Sequence, residues 1–172
     1  RREMLVFLFT HGLGPALAER ALQAFDAQAF TEIKSNPYVM AERVTGIGFL
    51  TADRMGRSLG IPDDAPGRLR AGLQHVLDEA IGDGHVCLPG PRLLEEAVEL
   101  LGVGENILRT AIRGLADEGR IVIAAIPTEP GSSPEFHVYL AFAFAVEQEA
   151  AYLLRALIEH PGADGHVAEL RD

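Results

Sequence analysis

One turn signature occurs twice in this chain and limits what it can fold into. Gly12-Leu13-Gly14 recurs 34 positions on as Gly46-Ile47-Gly48. Ala18-Glu19-Arg20 recurs in the same register as Ala52-Asp53-Arg54. Two glycines around one apolar residue make a tight turn, because glycine alone enters positive-φ space without steric cost. Apolar residues at helical spacing run over about 3–10, 15–25, 37–44 and 49–59, so each turn joins two helices. Asn36-Pro37 reads as a helix start, with Asn as cap and Pro in the first turn. Gly60 reads as a helix stop. Residues 1–62 are therefore expected to form a tandem helix-hairpin-helix. A 34-residue period also suits tetratricopeptide repeats, but their Trp, Tyr and Pro markers are missing and two copies would not make a stable solenoid.

Ile61-Pro62-Asp63-Asp64-Ala65-Pro66 reads as a turn between sub-domains. Beyond it, Leu69, Leu73, Val76, Leu77, Ala80 and Ile81 fall on one face of a helix ended by Gly82-Asp83-Gly84. His85–Leu88 is a short strand stopped by Pro89. Two helices, 92–101 and 105–118, flank a third glycine turn, Gly102-Val103-Gly104, and Gly119 closes the second. Strands are expected at 121–126 and 136–140, around a polar loop at 127–134. This order predicts a winged-helix subdomain over 66–141 with a small β-hairpin. A linking helix follows at 142–160, with Phe144, Leu153, Leu154, Leu157 and Ile158 as its apolar candidates. Residues 161–172 read as a disordered tail. The expected fold is mostly α.

The chemistry of the paired turns is anion binding. A helix start presents unpaired N–H groups, and its dipole favours a phosphate oxygen there. Gly12, Gly14, Gly46, Ile47 and Gly48 form the candidate approach points, with Thr51 in the following turn. Arg20 and Arg54 stand ready to add charge to a phosphate contact. The third turn reads only as a helix-helix connection. Arg109, Arg113 and Arg120 are available to helix 105–118, but Glu105, Asp117 and Glu118 alternate with them as on a solvated face. The loop 127–134 carries Glu129 and no basic residue. Phe49 reads as packing rather than base stacking.

Charge bounds the affinity. Fourteen Arg and the single Lys34 face 25 carboxylates, for a net charge of −10. Phosphate neutralisation supplies most non-specific affinity for nucleic acid, so tight binding by this segment alone is not expected. Charge by itself favours a protein-contact role.

Catalysis is not expected of this segment. With one lysine there is no Gly-x-x-x-x-Gly-Lys-Ser/Thr loop, and neither Gly-x-Ser-x-Gly nor His-Glu-x-x-His occurs. His11, His75, His85, His137, His160 and His166 are scattered. His85 and Cys87 alone do not make a metal site, and a lone cysteine in an apolar strand is usually core. One cysteine allows no internal disulfide and suits a reducing cytoplasm. No run approaches a membrane span. The start at Arg1-Arg2-Glu3, in mid-helix and without an initiator Met, reads as a boundary inside a longer polypeptide. Met4–Phe9 is too short for a secretory signal.

Several stretches together resemble the RecD-like ATP-dependent DNA helicases, the long-form RecD/TraA group of superfamily 1. They are Arg2–Leu8, His11–Ala18, Asn36-Pro37-Tyr38, Gly46–Arg54, Leu59–Pro62, Arg68–Leu73 and Gly84–Pro89. The likeness covers about 1–158 and is strongest over 36–90. It implies a parent enzyme that moves 5′→3′ on single-stranded DNA, using ATP and Mg in a motor that follows this region. None of the family's catalytic residues has a counterpart here, whereas the helix-hairpin-helix glycines do. The implied partners are DNA, single-stranded or at a single-strand/duplex junction, and the motor domains in cis, with no membrane. Two other readings remain: a module docking to the motor or to a repair partner, and a winged-helix transcription regulator.

Overall fold

The computed structural model describes residues 1–26, 29–126 and 133–159. The first turn joins α1 (Arg2–Thr10) to α2 (Pro15–Ala24). After α3 (Ala29–Ser35) and α4 (Val39–Arg43), the second turn leads into α5 (Phe49–Ser58). The long α6 (Pro66–Gly82) starts on Pro66 and precedes β1 (Leu88–Pro89). Then come α7 (Gly90–Leu101), α8 (Glu105–Asp117), β2 (Ile121–Ile126), β3 (Glu135–Leu140) and α9 (Ala141–Glu159). The strands form a small antiparallel sheet in the order β1-β3-β2, with Ile121 opposite Leu140 and Leu88 opposite Val138. The fold is mostly helical, as the sequence patterning indicated.

Burial is matched at three positions of the repeat register. Leu13 and Ile47, the central residues of the turns, are both buried, as are Ala18 with Ala52 and Ala21 with Met55. One pair breaks the symmetry: Glu19 is exposed, whereas Asp53 is buried.

Two apolar clusters hold the chain together. The first gathers Met4, Leu8, Ile33, Met40 and Met55 beneath α1–α5. The second gathers Leu73, Leu77, Leu93, Leu108 and Val138 among α6–α8 and the sheet. Helix α5 serves both, with Met55 in the first and Phe49 and Ala52 in the second.

Several local expectations are corrected. Residues 29–35 form α3, which sequence periodicity missed because the helix is short and buries only Ile33. The backbone N–H of Ala29 donates to Asp26 Oδ1 at 2.8 Å, a capping contact that sets its start. Asn36 does not cap α4: the helix starts at Val39 after Tyr38, and no side-chain cap bond forms. Instead Asn36 lies against Gly67 of α6, where a Cβ would collide with its amide. The strand expected at 85–88 is reduced to Leu88–Pro89. Proline fits there because β1 is an edge strand, where a missing N–H costs little. Cys87 is only half-buried. On α9 only Ala143 is buried, while Leu154, Leu157 and Ile158 are exposed and Phe144 packs edge-on to Tyr139. The expectations for loop 127–134, apart from residues 133 and 134, and for the tail 161–172 fall outside the described residues, as do His160 and His166.

Candidate nucleic-acid interface

In both turns the first glycine takes a positive φ, +87° at Gly12 and +93° at Gly46. This left-handed conformation is where glycine is needed. The central Leu13 and Ile47 anchor the turns in the first core. The second glycine then caps the next helix in extended conformation: Gly14 at φ −71°, ψ 161°, and Gly48 at φ −92°, ψ 177°. All four glycines are exposed.

The second glycines, like Gly104 of the third turn, stand where a side chain would have room. Their φ values are open to any residue, and a Cβ added at Gly14 or Gly48 would meet nothing within 4 Å. Neither backbone strain nor packing excludes a side chain there. What glycine does provide is bare access to the free N–H groups of a helix start. No acidic residue occupies the first turn of α2 or α5, so the positive end of each dipole is left uncompensated. The free donors differ in place rather than number: Pro15 removes the first N–H of α2, whereas in α5 the Thr51 N–H already donates to the Gly48 carbonyl.

The third turn shares the backbone geometry, with Gly102 at φ +68° and Gly104 as extended cap of α8. It differs in charge. Glu105 opens α8 and pairs with Arg109 at 3.1 Å, so this helix start is already answered by a carboxylate.

The arginines divide in the same way. Arg70 pairs with Glu118, Arg92 with Glu96 and Arg120 with Glu42. Arg54 makes no hydrogen bond or ion pair among the described residues and is exposed. Arg20 is also exposed and has no carboxylate partner among the described residues. Its Nη1 donates instead to the Thr45 carbonyl at 3.1 Å, which places the guanidinium beside the second turn. Thr51 is half-buried, and its N–H donates to the Gly48 carbonyl at 3.1 Å. Arg113 is unpaired among the described residues but lies on α8, apart from the paired turns. Phe49 is buried and stacks on Tyr38 and His75, with ring centroids 6.1 and 5.5 Å apart, so it packs. A cleft of about 320 Å³ opens beside Gly48, but Glu42 and Asp78 offset Arg120 in its lining and it does not extend the cationic surface.

Sequence reasoning missed the polar centre that fixes the second turn. Arg68 of α6 is fully buried. Its Nε donates to Asp53 Oδ1 at 2.7 Å, and its Nη1 donates to the carbonyls of Asp63 at 2.8 Å and Leu101 at 2.9 Å. Tyr38 donates its hydroxyl to Asp53 Oδ1 at 2.8 Å, and Arg57 Nε donates to Oδ2 at 3.0 Å. Burial alone would push the Asp53 carboxyl up. The bonds from Arg68, Arg57 and Tyr38 outweigh it and hold Asp53 below the usual carboxylate value. The Tyr38 phenol is pushed up by burial and by its bond to Asp53. Tyr38 and Asp53, from the Asn36-Pro37-Tyr38 and Thr51-Ala52-Asp53-Arg54 stretches, thus join α5 to α6, while Arg54 stays on the surface. Arg68 was legible in principle, since it lies four and eight residues before Gly72 and Val76 on the buried face of α6.

No helix among the described residues is long and apolar enough to cross a membrane. No group of three or more His, Cys, Asp or Glu side chains among them could hold a metal ion.

The chain is similar to known proteins. The family model for the helix-hairpin-helix domain of ATP-dependent RecD2 DNA helicases matches residues 1–87. The ATP-dependent RecD2 DNA helicase of Deinococcus radiodurans is 32% identical over 168 residues, which is 95% of this chain and 23% of that protein. The chain therefore spans about a quarter of the length of this curated relative.

Proposed function

Because the chain belongs to the family of helix-hairpin-helix domains of ATP-dependent RecD2 DNA helicases, we propose that it is a non-catalytic segment that grips DNA phosphates at its two paired turns. The observation that carries this reading is the empty space at Gly14 and Gly48. Gly104 has the same open space, but of the three turns only those at Gly14 and Gly48 open on a helix start with no acidic residue in its first turn. A phosphate oxygen approaching such a gap gains N–H donors without any contact to a base edge, so binding is indifferent to sequence. Single strands or single-strand/duplex junctions are the proposed substrate, with a motor in cis supplying 5′→3′ movement in the whole protein.

Residues 66–141 act in this reading as a winged-helix unit that spaces and supports the grip. Their own arginines are largely spent on ion pairs, and Glu105 blocks the third helix start. This also disfavours a sequence-reading regulator, which needs a free cationic recognition helix.

ATP with Mg belongs to the proposed whole enzyme, and the residues present do not fit that group. Lys34 follows Ile33 rather than glycine, and its ammonium sits 4.1 Å from the centre of the Phe30 ring. No step through ATP is assigned to this chain.

A docking role is a second reading with its own support in α9. Phe142, Val146, Tyr152, Leu154, Leu157 and Ile158 are all more than half exposed on this helix. Apolar surface of that extent suits contact with another protein surface, such as the motor. Fluorescence anisotropy of the full chain with a labelled single-stranded oligonucleotide across a salt series separates the readings. The grip predicts affinity that rises steeply as salt falls and is equal for unrelated sequences. No binding at ~50 mM salt would leave only docking.

A further inference from the structure

We infer that Arg20, carried by the first helix-hairpin-helix unit, is a positioning and charge-supplying residue of the second unit's turn. This rests on the phosphate-grip reading above. Arg20 lies six residues past Gly14, about 9 Å along the axis of α2 from its own helix start. Its guanidinium is directed across the repeat to the Thr45-Gly46 peptide, where Nη1 donates to the Thr45 carbonyl at 3.1 Å.

The second turn is shaped to receive it. A Cβ on Gly46 would sit 2.9 Å from Arg20 Nη1 and 3.3 Å from Leu17 Cδ2, whereas a Cβ on Gly12 would meet nothing within 4 Å. In the repeat register Thr45 corresponds to His11, so the matching bond would run from Arg54 to the His11 carbonyl. That bond is absent, and His11 instead contacts Ser58 Oγ through Nδ1 at 2.7 Å. The clasp is therefore built on one side only.

One bond to Thr45 leaves four of the five guanidinium N–H donors free beside Gly46-Ile47-Gly48. A full positive charge then stands next to the α5 start, where the Phe49 and Leu50 N–H groups have no backbone partner among the described residues. Arg20 holds the second turn against α2 and faces the phosphate bound there. Arg54 is exposed and has no hydrogen-bond or ion-pair partner among the described residues.

The test uses the full chain, a labelled single-stranded oligonucleotide and a KCl series. Arg20→Gln should weaken binding about fivefold, the loss expected for one solvent-exposed hydrogen bond of about 1 kcal/mol net. It should also make the plot of log K against log salt shallower by about 0.7, as for one cation withdrawn from a single-strand phosphate. Arg20→Lys should restore the salt slope but only part of the affinity, because it keeps charge and loses the fork. A merely structural arginine would not move the slope. The fivefold effect should persist in a Gly14→Val background and shrink below twofold in a Gly48→Val background. Loss of the effect with Gly14→Val instead, or equal persistence in both, would overturn the assignment. Failure of the grip itself looks different, with Gly14→Val and Gly48→Val each binding like the parent chain.

Discussion

Replacing Arg68 with Met should be among the most damaging single changes in this fold. The side chain is fully buried and bridges three segments: Asp53 on α5, the Asp63 carbonyl before α6, and the Leu101 carbonyl at the end of α7. Methionine is close in length and fills most of the space, so the loss is polar rather than a cavity. Breaking a buried ion pair by removing one partner costs about 3–5 kcal/mol, because the other charge stays desolvated. Here Asp53 retains Tyr38 and Arg57, and its side chain keeps 12% exposure, which favours the low end, about 3 kcal/mol. With a urea slope near 2 kcal/mol/M, the midpoint should fall by roughly 1.5 M. The pH dependence should change as well. In the parent chain the depressed Asp53 value gives stability that is present above the ordinary carboxylate value of 3.8 and lost as pH falls below it. Without Arg68, burial dominates and raises that value, so the variant should recover part of its deficit between pH 7 and pH 5 while the parent does not. Urea titrations at both pH values read this directly. A loss below about 1 kcal/mol, or an unchanged pH profile, would refute the view that Arg68 and Asp53 fasten the two cores together.

Three further outcomes follow from the same geometry. Gly72→Ala places a Cβ 2.5 Å from Leu101 Cδ2 in the second core, and overpacking should cost about 1–3 kcal/mol in urea or thermal melts. Gly104→Val should leave oligonucleotide affinity within about twofold, because Glu105 already answers that helix start. Ile158→Ser on α9 should change stability by no more than about 0.5 kcal/mol, since the residue is 78% exposed.

The paired turns were legible because glycine placement is local and the repeat register supplies a second copy to compare. The apolar face of α6 was legible for the same reason: Leu69, Leu73, Val76 and Leu77 announce it at helical spacing. What the sequence concealed was the use of polar residues. Arg68 sits in Arg68-Leu69-Arg70, where one arginine is buried and the other pairs with Glu118 on the surface, and composition treats them alike. Asp53 and Glu19 occupy equivalent repeat positions, yet only Asp53 meets a second core. Arg20 was read with its own turn because spacing along one helix says nothing of where a long side chain reaches across the repeat. Helix α3 escaped notice because one buried residue in seven leaves no periodicity to detect.

The central claim is that Gly14 and Gly48 are bare for the sake of a phosphate outside the protein. Valine at either position meets open space and an ordinary φ, so the fold should tolerate it with little more than a weakened cap. Gly46 offers no such clean probe, because substitution there strains the backbone and collides with Arg20. Binding of the Gly14→Val, Gly48→Val and doubly substituted chains to a single-stranded oligonucleotide at low salt is therefore the most direct measurement. The account predicts that urea titrations find each single variant within about 1 kcal/mol of the parent's stability, with each single change weakening binding. Gly48→Val should cost more than Gly14→Val because the Arg20 guanidinium stands beside the second turn, and the double change should abolish salt-dependent binding. Parent-like affinity in the folded double variant would contradict it.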